Sequence, residues 1–323
     1  MAGKSKSEVM LKFDWIELGG YLGPSFLVLL RAWTLYNLRS CLPYFFLLYA
    51  IFPIIEIYAP KYMKNHTENE QRVREKDDRF LIPLYTFFVA HWIETYFVFD
   101  FMNYAFSNFS YFKIVLTILV IWISSGEDLV VGHELGHRKN WIHRAFGYLM
   151  YLRFLNTNFI ITHNKGHHKW VATPLDPASA RQGQTVFEFA AHSLPHSVVQ
   201  GWNIEVERIE KLHGPEVSTF YKVVLNQVFL MKLGEVVYLG GVWYLFNFKV
   251  MCFAVVLGFL LQCTLEIINY VEHYGLRRKE ISPGKYERVN VSHSWNSSHT
   301  LANSLEFRLP RHSDHHETGS KPY

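Results

Sequence analysis

Long apolar runs alternate with almost wholly polar blocks along this 323-residue chain. A membrane-spanning helix needs about 20 mostly apolar residues. By that standard the spans fall near 17–35, 41–59, 80–99, 109–127, 224–246 and 249–268. The first is interrupted by Gly19, Gly20, Gly23, Pro24 and Arg31. The run 146–162 holds Arg153 and Asn156 and reads better as interfacial or re-entrant. Two long polar blocks, 128–223 and 269–323, follow the fourth and sixth spans. The pattern predicts an all-α, polytopic membrane protein of about six transmembrane helices, forming a single integral-membrane domain over 1–323.

Orientation follows from where positive charge lies. The stretch Met1 to Lys12 has no apolar core followed by a small-residue cleavage site, so no cleaved signal peptide is read there. It carries Lys4, Lys6 and Lys12, and the block 60–79 carries Lys61, Lys64, Arg72, Arg74, Lys76 and Arg79. The connections at 100–108 and 247–248 are nearly free of Lys and Arg. With the basic segments cytoplasmic, six spans put both large polar blocks on the cytoplasmic side. Arg31 and Arg39 lie at the opposite face and run against the rule.

Composition changes the picture in two ways. Half of the residues are hydrophobic, yet the mean hydropathy is only +0.02, because the polar blocks hold most of the 17 histidines. The three cysteines, Cys41, Cys252 and Cys263, sit in apolar stretches without CxxC spacing, which excludes a disulfide framework and a cysteine-ligated iron centre. One-electron chemistry would therefore draw electrons from another protein. A net charge of +4 gives no reason to expect a nucleic-acid partner.

The histidines are grouped. They occur at His133 and His137, at His163, His167 and His168, at His312, His315 and His316, and at His273 near the end of the sixth span. Residues four apart share a helix face, with about 5–6 Å between β-carbons. That puts His133 with His137 and His163 with His167, while His168 is turned by one residue. All of these segments fall on one side of the membrane. Nine imidazoles exceed what one metal accepts, so two metal ions are the economical reading. Neutral imidazole suits Zn, Fe, Cu or Ni rather than Ca or Mg.

Plainer readings cover the other histidines. His66, His143, His192, His196 and His213 are read as structural, and His91 as hydrogen-bonded within its helix to Glu94 as readily as functional. His293 and His299 stay outside the ligand set. The segment 133–137 also satisfies H-E-x-x-H, the pattern of zinc metalloproteases, with Glu134 as base. An intramembrane protease of that kind brings a later Asp-Gly ligand motif. The chain has no Asp-Gly pair, and the protease reading leaves seven clustered histidines without work.

The motifs HELGH at 133–137, HNKGHH at 163–168 with VATPLDPASAR at 171–181, NYVEHYGL at 269–276, SWNSSH at 294–299 and RHSDHH at 311–316 carry a resemblance. The chain resembles the integral-membrane alkane 1-monooxygenases, within the histidine-box hydroxylases and desaturases, from the second span onward. The resemblance implies a cytoplasmic non-haem diiron site held by His133, His137, His163, His167, His168, His273, His312, His315 and His316. It also implies O2 as co-substrate, an alkane or acyl substrate, and a separate rubredoxin or ferredoxin fed by an NAD(P)H-dependent reductase. The runner-up is a fatty-acyl desaturase or lipid hydroxylase of the same group. An all-imidazole shell calls for nearby carboxylates, because ligating histidines usually donate their other N–H to one. By position these are Glu134, Asp176, Glu272 and Asp314, with ion pairs to Arg181 or Arg311 as the plain alternative. Two departures stand out: the first span matches poorly, and the sequence ends seven residues after His316 without the proline-rich tail usual in the family.

Overall fold

A computed structural model describes residues 15–61 and 66–317. Met1 to Lys12 and Lys64, used above for orientation, lie outside the described residues. Four helices are long and apolar enough to cross a membrane: Asp78–Asn108, Tyr111–Gly136, Gln227–Leu245 and Phe248–His273. They match the third to sixth expected spans. The other two expectations are also helices but of a different kind. Trp15–Asn37 has 23 residues and packs along Leu81–Asn108, burying Tyr21, Val28 and Leu35. Leu42–Tyr58 is shorter, with a π-turn at Leu47–Ile51 and exposed Ile54, Ile57 and Tyr58 on its outer side.

The first helix tolerates Arg31 because the guanidinium never reaches water. Its Nε lies 2.8 Å from Glu94 Oε1, and its Nη1 donates to both Ser125 Oγ and the Ser124 carbonyl. The second oxygen of Glu94 takes Arg153 at 2.6 Å, and Arg153 Nε lies 3.8 Å from Asp128 Oδ2. Two arginines and two carboxylates thus cancel inside the helix bundle. Charges at membrane depth survive where they face the bundle interior and pair with one another. Arg31 is therefore no exception to the orientation rule, which counts loop charges. His91 is not bonded to Glu94, both of whose oxygens go to arginines; its Nδ1 faces Asp128 at 3.8 Å.

The fourth span is broken at 124–126. Ser124 and Ser125 turn their hydroxyls back onto Val120 and Ile121 carbonyls at 2.6 Å, and Gly126 takes φ 137°, a conformation that needs glycine. The helix resumes as Glu127–Gly136. That segment carries Gly132 and Gly136 four apart, a small-xxx-small face that lets Trp141–Met150 pack at backbone distance. A β-carbon on Gly147 would lie 2.9 Å from the Gly132 carbonyl oxygen and 3.0 Å from the Gly136 nitrogen.

The run 146–162 leaves the helical path at 151–158 among the spans. Its exposed backbone groups are met by side chains of two spanning helices, as irregular backbone at membrane depth requires. Gln262 donates to the Phe154 carbonyl at 2.8 Å, and Lys232 donates to that of Leu155 at 3.0 Å. Glu235 accepts from the Thr157 N–H at 2.9 Å and its hydroxyl at 2.8 Å. The polar block also contains an unanticipated helix of 28 residues, Val186–His213, opened by a capping box in which Thr185 and Glu188 satisfy each other's backbone N–H. It supports the second histidine segment from behind.

Candidate metal centre

Each histidine segment presents its rings by a different local device. His133 and His137 close the resumed helix after Gly126, one turn apart. His163 to His167 form a π-turn flanked by helical turns at Phe159–Thr162 and His168–Trp170. In that turn the His168 N–H reaches the His163 carbonyl, five residues back. The extra residue aligns His163 with His168 and turns His167 away, a common use of π-bulges at functional sites. The i,i+4 expectation that paired His163 with His167 is therefore replaced by an i,i+5 pairing. His312–Glu317 is a regular short helix, so His312 and His316 share a face and His315 projects from another.

The outcome is two adjacent groups. His133, His137, His163, His168 and His315 bring five ring nitrogens within 4.8 Å of one another, and His167, His273, His312 and His316 bring four. Consecutive residues serve different groups at both 167–168 and 315–316. Within the first group, Nε2 to Nε2 distances are 2.8 Å for His133–His163, 3.2 Å for His133–His137, 3.0 Å for His163–His168 and 3.0 Å for His168–His315. In the second, His312 and His316 lie at 2.9 Å. Ligands about 2.0–2.1 Å from a metal and at right angles to each other are about 3 Å apart. The rings thus stand along the edges of coordination polyhedra. Rings of the two groups touch, with His168 and His316 centroids 4.6 Å apart.

The rear nitrogens fix which atom faces inward. His167 Nδ1 meets Asp176 Oδ2 at 2.9 Å, and His273 Nδ1 donates to the His293 carbonyl at 3.1 Å. Their Nε2 atoms are buried without any partner among the described residues. A buried nitrogen left unpaired is costly unless something fills its place, and a metal bound by neutral imidazole does. Burial, reinforced by neighbouring histidines, pushes His137, His163, His312, His315 and His316 well below the usual imidazole range, and His168 down to about 3. Burial thus favours the neutral form of these six rings, the form that ligates. The donor set therefore fits two imidazole-preferring transition metals such as iron.

The four carboxylates part company. Asp176 is fully enclosed; burial raises its carboxyl, but His167 and the Ser179 hydroxyl at 2.5 Å hold it below the usual range. Glu272 is not behind a ring. Its Oε2 lies 3.1 Å from His312 Nε2, the nitrogen that also faces His316. Glu134 accepts from Arg138 at 2.7 Å, the plain ion pair of an i,i+4 spacing. Asp314 lines a crevice with His66, Gln71, Glu134, Arg308 and Arg311 that opens onto His133 and His315. Just before it, Phe307 and Arg308 both have positive φ, at 46° and 59°, strain that aims the last histidine segment inward. Sequence reasoning missed the His293 carbonyl and the Arg31–Glu94–Arg153–Asp128 cluster. Part of the signal for the latter was present, since Arg31, Glu94 and Arg153 are charges inside apolar runs.

Comparison with known proteins agrees with this arrangement. Residues 109–323 match the family described as fatty acid desaturase. An alkane 1-monooxygenase of Ectopseudomonas oleovorans is 35% identical over 214 residues, covering 66% of this chain and 52% of that protein. One from Pseudomonas putida is 30% identical over 284 residues, covering 85% and 67%. The xylene/toluene monooxygenase hydroxylase component of Pseudomonas putida is 31% identical over 200 residues, covering 61% and 51%. The matches thus span between about half and two thirds of the length of these relatives. From the histidine segments and these similarities, the chain belongs to the fatty acid desaturase family, in the branch that its alkane 1-monooxygenase relatives occupy.

Proposed function

We propose that this chain is a membrane-bound non-haem diiron monooxygenase that hydroxylates the terminal carbon of an alkane or related hydrocarbon chain. A separate rubredoxin or ferredoxin, with its NAD(P)H-dependent reductase, supplies the electrons. The observation that carries the reading is the pair of adjacent all-imidazole groups, five and four strong. Such a reaction inserts one atom of O2 into a C–H bond and reduces the other to water with two electrons and two protons. The irons would supply the oxygen chemistry, and the chain supplies position and protons.

In this reading His133, His137, His163, His168 and His315 hold one iron, and His167, His273, His312 and His316 the other. Asp176 fixes the His167 ring and makes it a better donor. The His293 carbonyl does the same for His273. Glu272, at the His312 edge, presents Oε2 to the inward-facing nitrogen of that ring and is suited to accept or return a proton there. Glu134 and Asp314 line the crevice toward the aqueous side, a path for water and protons rather than for hydrocarbon. We place the site on the cytoplasmic face on the strength of the basic block 60–79. The protease alternative loses its base, because Glu134 is engaged by Arg138 and both of its histidines belong to the five-membered group.

The test is reconstitution with rubredoxin, its reductase, NADH and a panel of linear alkanes and acyl chains under isotope-labelled O2. A primary alcohol carrying one labelled oxygen is the expected product. A double-bonded product without label moves the protein to the desaturases. Finding a single bound zinc that is retained in both His168→Ala and His312→Ala would sink the diiron reading.

A further inference from the structure

Behind the four-histidine group, on the far side of Asp176, lies a polar crevice of about 130 Å³. Arg181 reaches it from the loop after the second histidine segment, and Arg277 from the end of the last spanning helix; His192 and Gln184 line it too. Both arginines are exposed at the mouth of the crevice, and among the described residues neither guanidinium has a hydrogen-bond or ion-pair partner. Convergence of like charges is unfavourable without a counter-charge. Burial and the Arg181 charge both lower Arg277, and burial, His196 and Arg181 together lower the neighbouring His192 imidazole. Asp176 does not serve as that counter-charge. Its oxygens are taken by His167, Ser179 and the Ala178 N–H, and no contact of ion-pair length joins it to either arginine.

We propose that Arg181 and Arg277 form an oxyanion site that binds a phosphate group in this crevice. A guanidinium offers a planar fork of donors, and one such fork satisfies a planar carboxylate. Two forks arriving from separate segments suit a tetrahedral oxyanion, which presents oxygens in more than one plane. The Gln184 amide adds a neutral donor, since its carbonyl oxygen is already used by the Arg181 N–H at 3.0 Å. The phosphate comes either from solution or from a lipid headgroup, and the chemistry of recognition is the same.

Inorganic phosphate is titrated calorimetrically into the metal-loaded, detergent-solubilised full chain against a chloride background of equal ionic strength. Saturable binding near one per chain is expected. It should weaken at least tenfold in Arg181→Gln and in Arg277→Gln, with metal content unchanged, and stay the same in Lys279→Gln. Sulfate should compete. Repeating the titration in nanodiscs separates the sources. Binding lost in anionic-lipid discs but kept in neutral ones assigns the site to a headgroup, and binding kept in both assigns it to free phosphate. No saturable binding in detergent, or equal weakening by the Lys279 control, overturns the proposal.

Discussion

Glu94→Gln is the most direct test of how the bundle carries charge. Glu94 is fully buried and accepts from Arg31 at 2.8 Å and Arg153 at 2.6 Å, and both arginines are almost fully enclosed. The amide keeps the shape but removes the charge, leaving two guanidiniums with Asp128 and the more distant Glu127. Removing one partner of a buried pair costs about 3–5 kcal/mol, because a charge is left uncompensated. In a two-state domain of comparable size 1 kcal/mol is worth about 2–4 °C, so a loss on the order of 10 °C in Tm is expected. The assay is thermal unfolding in detergent, followed by circular dichroism, with Arg31→Met and the double variant alongside. Neutralising Arg31 together with Glu94 restores balance between Arg153 and Asp128. The double variant should therefore be more stable than the sum of the two single losses, by about 0.5–3 kcal/mol. A Glu94→Gln Tm within 2 °C of the parent, or strict additivity, would refute the reasoning.

Three further outcomes are expected. Gly147→Ala drives a methyl against the backbone of Gly132 and Gly136; it should cost about 1–3 kcal/mol and lower metal occupancy at the five-histidine group, read by metal analysis after mild chelation. Asp176→Asn should weaken metal retention about 10–100-fold at the four-histidine group only, seen as one of two metals released early in a chelator titration. In a cysteine-free background, single cysteines at Ser107 and Ser292 should label from opposite sides of sealed vesicles, and labelling from the same side would mean that the span count is wrong.

Much of this fold was legible because membrane spans announce themselves by length and apolarity. The third to sixth spans begin within a few residues of expectation, although the third and fourth run well past their expected ends to Asn108 and Gly136, while Leu42–Tyr58 is shorter than a full crossing and Trp15–Asn37 is less apolar. The helix Val186–His213 was not legible, since its buried face is narrow and includes Ser193, Gly201 and Glu205. All nine clustered histidines come together as their grouping suggested. Their division between the two groups was hidden, because periodicity assumes 3.6 residues per turn and the second segment departs from it at His163–His167. Glu272 was anticipated behind a ring and stands at the front of one, a matter of rotamer that spacing does not encode. Gly132 and Gly136 were overshadowed by the histidine that directly follows each, yet they determine how closely the neighbouring helix approaches.

The alternation of neighbouring residues between the two histidine groups has a thermodynamic consequence. Because His167 and His168 are covalently adjacent but face different groups, as are His315 and His316, the first metal to arrive immobilises two segments that the second also needs. The ordering entropy of those segments is then spent once, and the second ion binds to a chain already rigid, which is positive cooperativity without any change of shape. In the parent chain, loading should accordingly pass from empty to doubly filled with little singly filled protein between, and chelation should strip both ions in one transition, which a weakening of one group alone, as in Asp176→Asn, would split in two.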